Sequence, residues 1–599
     1  MIVFPKPNVE KFLRTYGIQN FSISPNEKQL VFSTNLNGKY NLWAMDLPDS
    51  FPYPLTFIDQ SCQALQYDKH GRFIVAGFDF DGNENTQLYA IPLQGGTMKE
   101  IVYQDNTRNF SPLLSEDGKR LYYTSSKDNS SYLNSYCLEL ESGEENLILE
   151  GEEAATYVYA LSPDESALLY YKHFSNTHSL LYARRENEDI LLTPPTKEQH
   201  TVSGGVFVSD SLVYLLTDYN ADFTYLASFD LETKIFAKVK ELHNESFSSL
   251  HYNKEQQLLY VIGEKGVEDF LYEYDLNNDV WRQLVIPCSV IDQLVAHKSG
   301  ALYICGRSAT APQNIYKRVG YEWVSLTNFK VPGIDCDELV EPEVVKYKSF
   351  DGLQIEALLF KAKKENDIGK MVFWPHGGPQ ASERKEFKSY FQFLLSEGYS
   401  IFVPNFRGST GYGLKFMKMV EGNWGHGPRL DNVAGLDWLV ENGYAKKGEI
   451  VLMGGSYGGY MALLLHGRHA EYFSAVVDIC GPSDLFSFIN SVPDFWKPVM
   501  DQWVGHPERD KEKLIEYSPI TYLDGMTKPM LVIQGANDPR VVKEESEKIV
   551  QSLRQKGRNV EYMLMEDEGH GFSKKENEIA AFRKIQSFLK NVTSESVEV

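Results

Sequence analysis

The chain has 599 residues, of which 42% are apolar and 24% charged, and it carries a formal net charge of -23. That length exceeds what one hydrophobic core organises, so two or more domains are expected, and the acidic balance argues against nucleic acid, whose phosphates require a cationic surface. No run approaches the roughly 18 apolar residues of a membrane span, Met1 to Gly17 lacks the apolar core of a signal peptide, and six scattered cysteines without metal-ligand spacing read as reduced thiols of a cytoplasmic protein.

In chain order, Val9 to Tyr16 is a short amphipathic helix candidate. From Phe21 to Val324 the sequence repeats: a strand, a polar turn, an aromatic-rich strand, then a third strand such as NLWAMDL (Asn41 to Leu47) or QLYAIPL (Gln87 to Leu93). Aligning the turns at Glu27, Gly71, Gly118, Glu165, Ser211, Gln256 and Gly300 gives a period of about 45 residues, the signature of propeller blades. Seven units imply seven four-stranded blades stacked about an axis, and the 36 Tyr and 34 Phe suit such a β-rich body. Within it, Asp79, Asp81 and Asn83 resemble a calcium loop, but the glycine is misplaced and the closing glutamate absent, so a hairpin turn is expected.

Residues 325–343 read as a crossing linker. Beyond them a hairpin (Val344 to Ala362) opens a new sheet, and continuous apolar strands then alternate with helices, as in a parallel sheet covered on both faces. The fold expected is thus a two-domain one: an N-terminal seven-bladed β-propeller, residues 19–324, and a C-terminal α/β-hydrolase domain, residues 344–599.

The second half is organised around IVLMGGSYGGYMALLLHG (Ile450 to Gly467), a strand, a glycine-crowded turn and a helix with Ser456 at the apex. This is the G-x-S-x-G elbow, where small neighbours let a serine sit on a sharp turn at the edge of a sheet. In this fold the acid and then the histidine follow along the chain. Asp538 in QGANDPRV and His570 in DEGHGF each come just after an apolar strand. Ser456 is therefore assigned as nucleophile, His570 as general base and then acid, and Asp538 as the group that fixes the imidazole tautomer. Asp484 is a weaker rival to Asp538. His466, His469 and His506 read as surface or packing residues, and Glu566, Asp567 and Glu568 as a solvated loop. The oxyanion donors expected are the backbone N–H of Tyr457 and the loop His376-Gly377-Gly378-Pro379, through Gly377 and Gly378. No metal and no other cofactor is implied, and the rate should rise as His570 loses its proton, near its usual value of about 6.5 unless the site perturbs it.

A propeller preceding HGGP, NFRGSTGYG (Asn405 to Gly413), GGSYGGY (Gly454 to Tyr460), NDPRV (Asn537 to Val541) and EGHGF (Glu568 to Phe572) resembles the prolyl oligopeptidase family of serine peptidases, and within it the acylaminoacyl-peptidase branch. The resemblance covers nearly the whole chain. It implies cleavage of short peptides with the propeller as a size filter, release of an N-acylated residue, packing of residues 1–18 on the hydrolase domain, and a contact from Arg540 to a substrate carbonyl. It also points to a homo-oligomer. The pocket for the residue before the scissile bond is placed, from position and apolar character, at Phe486, Phe488, Phe495 and Trp496. The dipeptidyl branch anchors a free amine on a propeller glutamate pair; Glu144-Glu145 and Glu152-Glu153 lie in polar inter-blade segments, which disfavours that reading. A carboxylesterase with the same triad, an aminopeptidase or dipeptidyl peptidase, and a non-enzymatic propeller scaffold are the alternatives.

Overall fold

The computed structural model describes residues 7–48 and 51–595; residues 1–6 of the expected N-terminal segment and 596–599 of the expected hydrolase segment lie outside them. Seven four-stranded sheets follow one another from Ile18 to Ser325, each made of four consecutive strands. The first strands of the fourth, fifth and sixth sheets line a shared cavity through Tyr157, Val202 and Ser246. The second strands are buried on both faces, as in Ile74–Phe78, while fourth strands such as Val280–Leu284 are largely exposed. This radial gradient, from a channel to a solvated rim, defines a seven-bladed propeller.

The repeat has a backbone cause. At Glu27, Gly71, Gly118, Glu165 and Gly300 the residue has positive φ, between 55° and 93°. Its N–H closes a turn on the carbonyl three residues earlier: Ser24, Asp68, Ser115, Ser162 and His297 respectively. In the sixth blade the left-handed residue is Gln257, one position past the aligned Gln256.

Blades one and seven share no strand, so the ring closes through side chains. The Gln293 carboxamide accepts from the Phe21 N–H (2.9 Å) and donates to the Phe21 carbonyl (2.9 Å), while Gln313 accepts from the Ile18 N–H (3.0 Å). Glu27 completes the seam with Tyr303 and Lys317.

The second half is one eight-stranded sheet. Its strands are β1 (Glu343–Lys348), β2 (Gln354–Phe360), β3 (Lys370–Phe373), β4 (Tyr399–Asn405), β5 (Ile450–Gly455), β6 (Phe473–Ile479), β7 (Met530–Gly535) and β8 (Val560–Met565), in the order 1-2-4-3-5-6-7-8. β1, β2 and β4 pair antiparallel, and from β4 through β3 to β8 every pair is parallel. This is the α/β-hydrolase sheet.

Apolar side chains alternate to two cores. Leu452, Val476 and Val532 face one; Val451, Met453, Val477 and Ile533 face the other. The second core also holds α1 (Val9–Leu13), α2 (Ser389–Ser396) and the last helix, α6 (Lys575–Glu595). α1 lays Phe12 against Phe393 of α2, ring centroids 6.0 Å apart, and pairs Glu10 with Arg583 of α6. The first core is covered by α3 (Gly427–Glu441), α4 (Tyr457–His469) and α5 (Lys543–Gln555).

Replacing Gln293 by Leu would leave the Phe21 N–H and carbonyl unpaired at the seam. Each such group costs about 1–3 kcal/mol when buried. The variant is expected to lower the urea midpoint of unfolding; an unchanged midpoint would show that closure rests on Gln313 and Glu27 instead.

Candidate active site

Ser456 stands between β5 and α4 with φ 56° and ψ -124°, a conformation that costs a non-glycine residue about 1–3 kcal/mol. Its neighbours have no room for a side chain: a Cβ on Gly458 would lie 2.2 Å from the Pro375 carbonyl oxygen, and one on Gly454 would lie 2.3 Å from that of Gly458. Packing at these two glycines holds the turn sharp. The Ser456 N–H donates to the Ile479 carbonyl at 2.8 Å, which ties the apex to the end of β6.

A continuous hydrogen-bonded line joins Ser456, His570 and Asp538. His570 Nε2 lies 2.9 Å from Ser456 Oγ, and its Nδ1 lies 2.6 Å from Asp538 Oδ2. Asp538 is buried, and its other oxygen accepts from the backbone N–H groups of Arg540 (2.9 Å) and Val541 (3.0 Å). Burial works against an imidazolium at His570, but the neighbouring Cys480 sulfur and the Asp538 carboxylate favour it by more, so its pKa is pushed up to about 10. This departs from the value near 6.5 expected from sequence, because sequence shows neither Cys480 nor the depth of the site.

The loop carrying His570 corrects another expectation. Glu566 and Asp567 are exposed, but Glu568 is fully buried. Its carboxylate accepts from Ser573 N–H (2.8 Å), Ser573 Oγ (2.6 Å), Lys574 N–H (3.0 Å) and Asn577 Nδ2 (2.9 Å), so it shapes the loop instead of solvating it.

Facing Ser456 is the loop after β3. A Cβ on Gly377 would come 3.5 Å from Ser456 Cβ, and Gly378 lines the same cavity as Ser456 and His570. His376 is held by Ser409 (2.8 Å) and stacks on Phe406, and burial lowers its pKa to about 4, keeping it neutral. Tyr457 points its side chain away into the core, where its hydroxyl donates to the Trp424 carbonyl at 2.6 Å.

The cavity beside Ser456 measures about 110 Å³ and is walled by Trp424, Phe488, Trp496 and Trp503. Of the four aromatic residues proposed from sequence, Phe488 and Trp496 line this cavity. Phe486 and Phe495 do not: neither is in the lining, and Phe495 faces Arg108, whose guanidinium carbon is 5.5 Å from its ring centroid. Trp424 and Trp503 were not among the residues expected: Trp424 lies far from the aromatic stretch in sequence, and Trp503 lies just past its end, on the short helix Met500–Trp503.

Arg540 also lines this cavity, but it is not unattached. Its Nε donates to Glu84 Oε1 at 2.6 Å, and Glu84 Oε2 pairs with Arg108 at 3.0 Å. Glu84 belongs to the turn between two strands of the second blade, the segment that resembled a calcium loop. That turn docks on the α/β half: Asp81 pairs with Lys574 at 2.8 Å, and Gly82 meets Gly569 backbone to backbone. No spacing signal marked it, because a hairpin tip declares itself functional only through what it touches. Asp484 is an N-cap, accepting from the Phe486 N–H, and pairs with Lys548; it lies outside the hydrogen-bonded line. His466 is buried and accepts from the Lys528 N–H. A larger cavity of about 420 Å³ lies at the domain interface, lined by blades four to six and by Thr410, Gly411, Leu414 and Met417.

Fold and site together define a two-domain serine hydrolase with a propeller set over an α/β-hydrolase centre. A family model described as the prolyl oligopeptidase family matches residues 385–596. The chain is 26% identical to dipeptidyl aminopeptidase BIII of Pseudoxanthomonas mexicana across 95% of this chain and 86% of that one. It is 28% identical to the acylamino-acid-releasing enzyme of Rattus norvegicus, there across 44% of this chain and only 38% of the relative. A crystal structure of puromycin hydrolase superposes with a TM-score of 0.87 at 16% identity, covering 99% of this chain and 97% of that one, which speaks for the fold. Among the described residues no helix is long and apolar enough to cross a membrane.

Because a protonated His570 cannot accept a proton from Ser456, activity should be suppressed on the acid side. With the folded pKa raised toward 10, kcat/KM is expected to keep rising between pH 7 and 9. A pH profile already flat by pH 6.5 would contradict this.

Proposed function

We propose that the protein is a short-peptide hydrolase in which Ser456 attacks the scissile carbonyl. His570 Nε2 takes the serine proton and returns it to the leaving amine, and Asp538 holds Nδ1–H so that Nε2 is the free base. The observation that carries this is the unbroken line from Ser456 Oγ through both imidazole nitrogens to a buried carboxylate. The backbone N–H of Tyr457 and those of Gly377 and Gly378 serve as oxyanion donors, each worth about 3–4 kcal/mol in the transition state. An acyl-enzyme forms on Ser456 and water resolves it by the reverse proton transfers.

The aromatic cavity receives the side chain before the scissile bond. Arg540, fixed through Nε by Glu84, presents its remaining donors to a substrate carbonyl. Two guanidiniums share one carboxylate there, which leaves a net positive charge and disfavours a substrate ammonium. This supports release of an N-acylated residue from a blocked peptide, with the propeller limiting the size of what enters. A second reading, dipeptide release from a free N-terminus, is favoured by the relative that aligns over 95% of the chain. In that case Glu84 would turn from Arg540 to the amine.

Replacing Ser456 by Ala should lower turnover by about 10⁶-fold if the three residues act as a unit; turnover near the parent's would sink the assignment. Paired assays of N-acetyl-alanine anilide, a free dipeptide anilide and a p-nitrophenyl ester separate the readings, an ester-only outcome marking a carboxylesterase. Glu84→Gln sharpens the contrast. It should slow the acetylated substrate modestly without reversing preference, whereas loss of free-amine cleavage alone would establish the dipeptidyl reading.

A further inference from the structure

We propose that Cys480, Asp538 and His570 form a binding site for a thiophilic divalent cation, zinc foremost, whose occupancy silences the enzyme. The silencing rests on the function proposed above; the binding does not. One ligand atom from each residue lies within 4.8 Å of the other two, and among the described residues this is the one such convergence of His, Cys, Asp and Glu.

The sheet builds it. β6, β7 and β8 are adjacent and parallel, and each delivers one ligand just beyond its C-terminal end. The Cys480 N–H is bonded to the Ile533 carbonyl on β7 at 2.9 Å, which fixes the cysteine beside its neighbour, and φ of 47° turns it there. Cys480 and Asp538 are 5% and 4% exposed, so their ligand atoms are held by the surrounding packing.

The donor set selects the ion. A thiolate, a carboxylate and a neutral imidazole supply two negative charges, which matches a divalent cation, and the S/N/O mixture suits zinc. Calcium and magnesium demand many more oxygens than the one carboxylate here. Binding releases the thiol proton and one proton of the His570 imidazolium to solvent, and the ring then spends the freed nitrogen lone pair on the metal. Around a tetrahedral ion the ligand atoms stand about 3–4 Å apart, so the 2.6 Å bond between His570 and Asp538 must open if both bind. Either way Ser456 loses its base. Such a site inhibits; it is not a resident cofactor site.

The test uses two readouts. Ser456→Ala protein titrated with cobalt(II) should show a thiolate-to-cobalt charge-transfer band in the near ultraviolet, absent when Cys480→Ser or Cys480→Ala is added; no band, or one that survives both substitutions, overturns the site. In the parent enzyme micromolar zinc should inhibit reversibly, with activity restored by a chelator. In Cys480→Ser, scored against its own zinc-free rate, the inhibition constant should rise by about 10- to 100-fold or more. Equal zinc sensitivity in that variant overturns the proposal. A cobalt band in a parent that hydrolyses no peptide or ester would instead overturn the functional reading and leave the site standing.

Discussion

The close approach of Gly82 to Gly569 governs much of the rest. A Cβ on Gly569 would fall 2.1 Å from the Gly82 carbonyl oxygen, and one on Gly82 would fall 2.6 Å from the Gly569 nitrogen. A propeller hairpin and the loop that carries His570 therefore touch through their backbones, with no side chain to adjust between them. Flanking bonds fix the contact: Lys574 to Asp81, and Arg540 to Glu84. The geometry of the imidazole thus depends on the propeller being docked, and a site formally carried by one domain is completed by both.

Inside that frame, the charges are handled by burial with partners. Asp538 loses water but receives two backbone N–H groups and the imidazole, and Glu568 receives four donors from the segment after His570. A buried carboxylate so supplied holds its loop in one conformation, since any other leaves an anion unpaired. Asp478, beneath the elbow, shows the contrast: burial with a single donor, the Gly481 N–H, pushes its pKa up to about 8 and favours the neutral acid.

The parts legible in sequence were those written in local pattern. The blade period was visible because one turn recurs with the same hydrogen bond and a left-handed residue, and glycine holds that place in three blades. The elbow and the order of Ser456, Asp538 and His570 were visible because steric demand restricts the residues around each. What escaped depends on contacts across the fold. Glu84 looked like part of a turn until the propeller brought it to Arg540, Glu568 looked solvated because acids usually are, and Cys480 had no neighbour in sequence to declare it. The cavity wall shows the same limit: Phe488 and Trp496 belong to the stretch singled out in sequence, whereas Trp424 and Trp503 come from elements outside it.

In the proposed mechanism, Tyr457 joins specificity to chemistry. Its backbone N–H is the donor assigned to the oxyanion, its hydroxyl is bonded to the Trp424 carbonyl, and Trp424 walls the cavity. The rings of Tyr457 and Trp503 meet Trp424 nearly edge-on, at 5.0 and 4.9 Å, an arrangement that aromatic quadrupoles favour and that leaves little freedom to slide. A side chain entering the cavity therefore presses on the residue that positions the donor. Filling that cavity well and holding the oxyanion at the right distance become one requirement, so selectivity before the scissile bond should be felt in the chemical step as well as in binding.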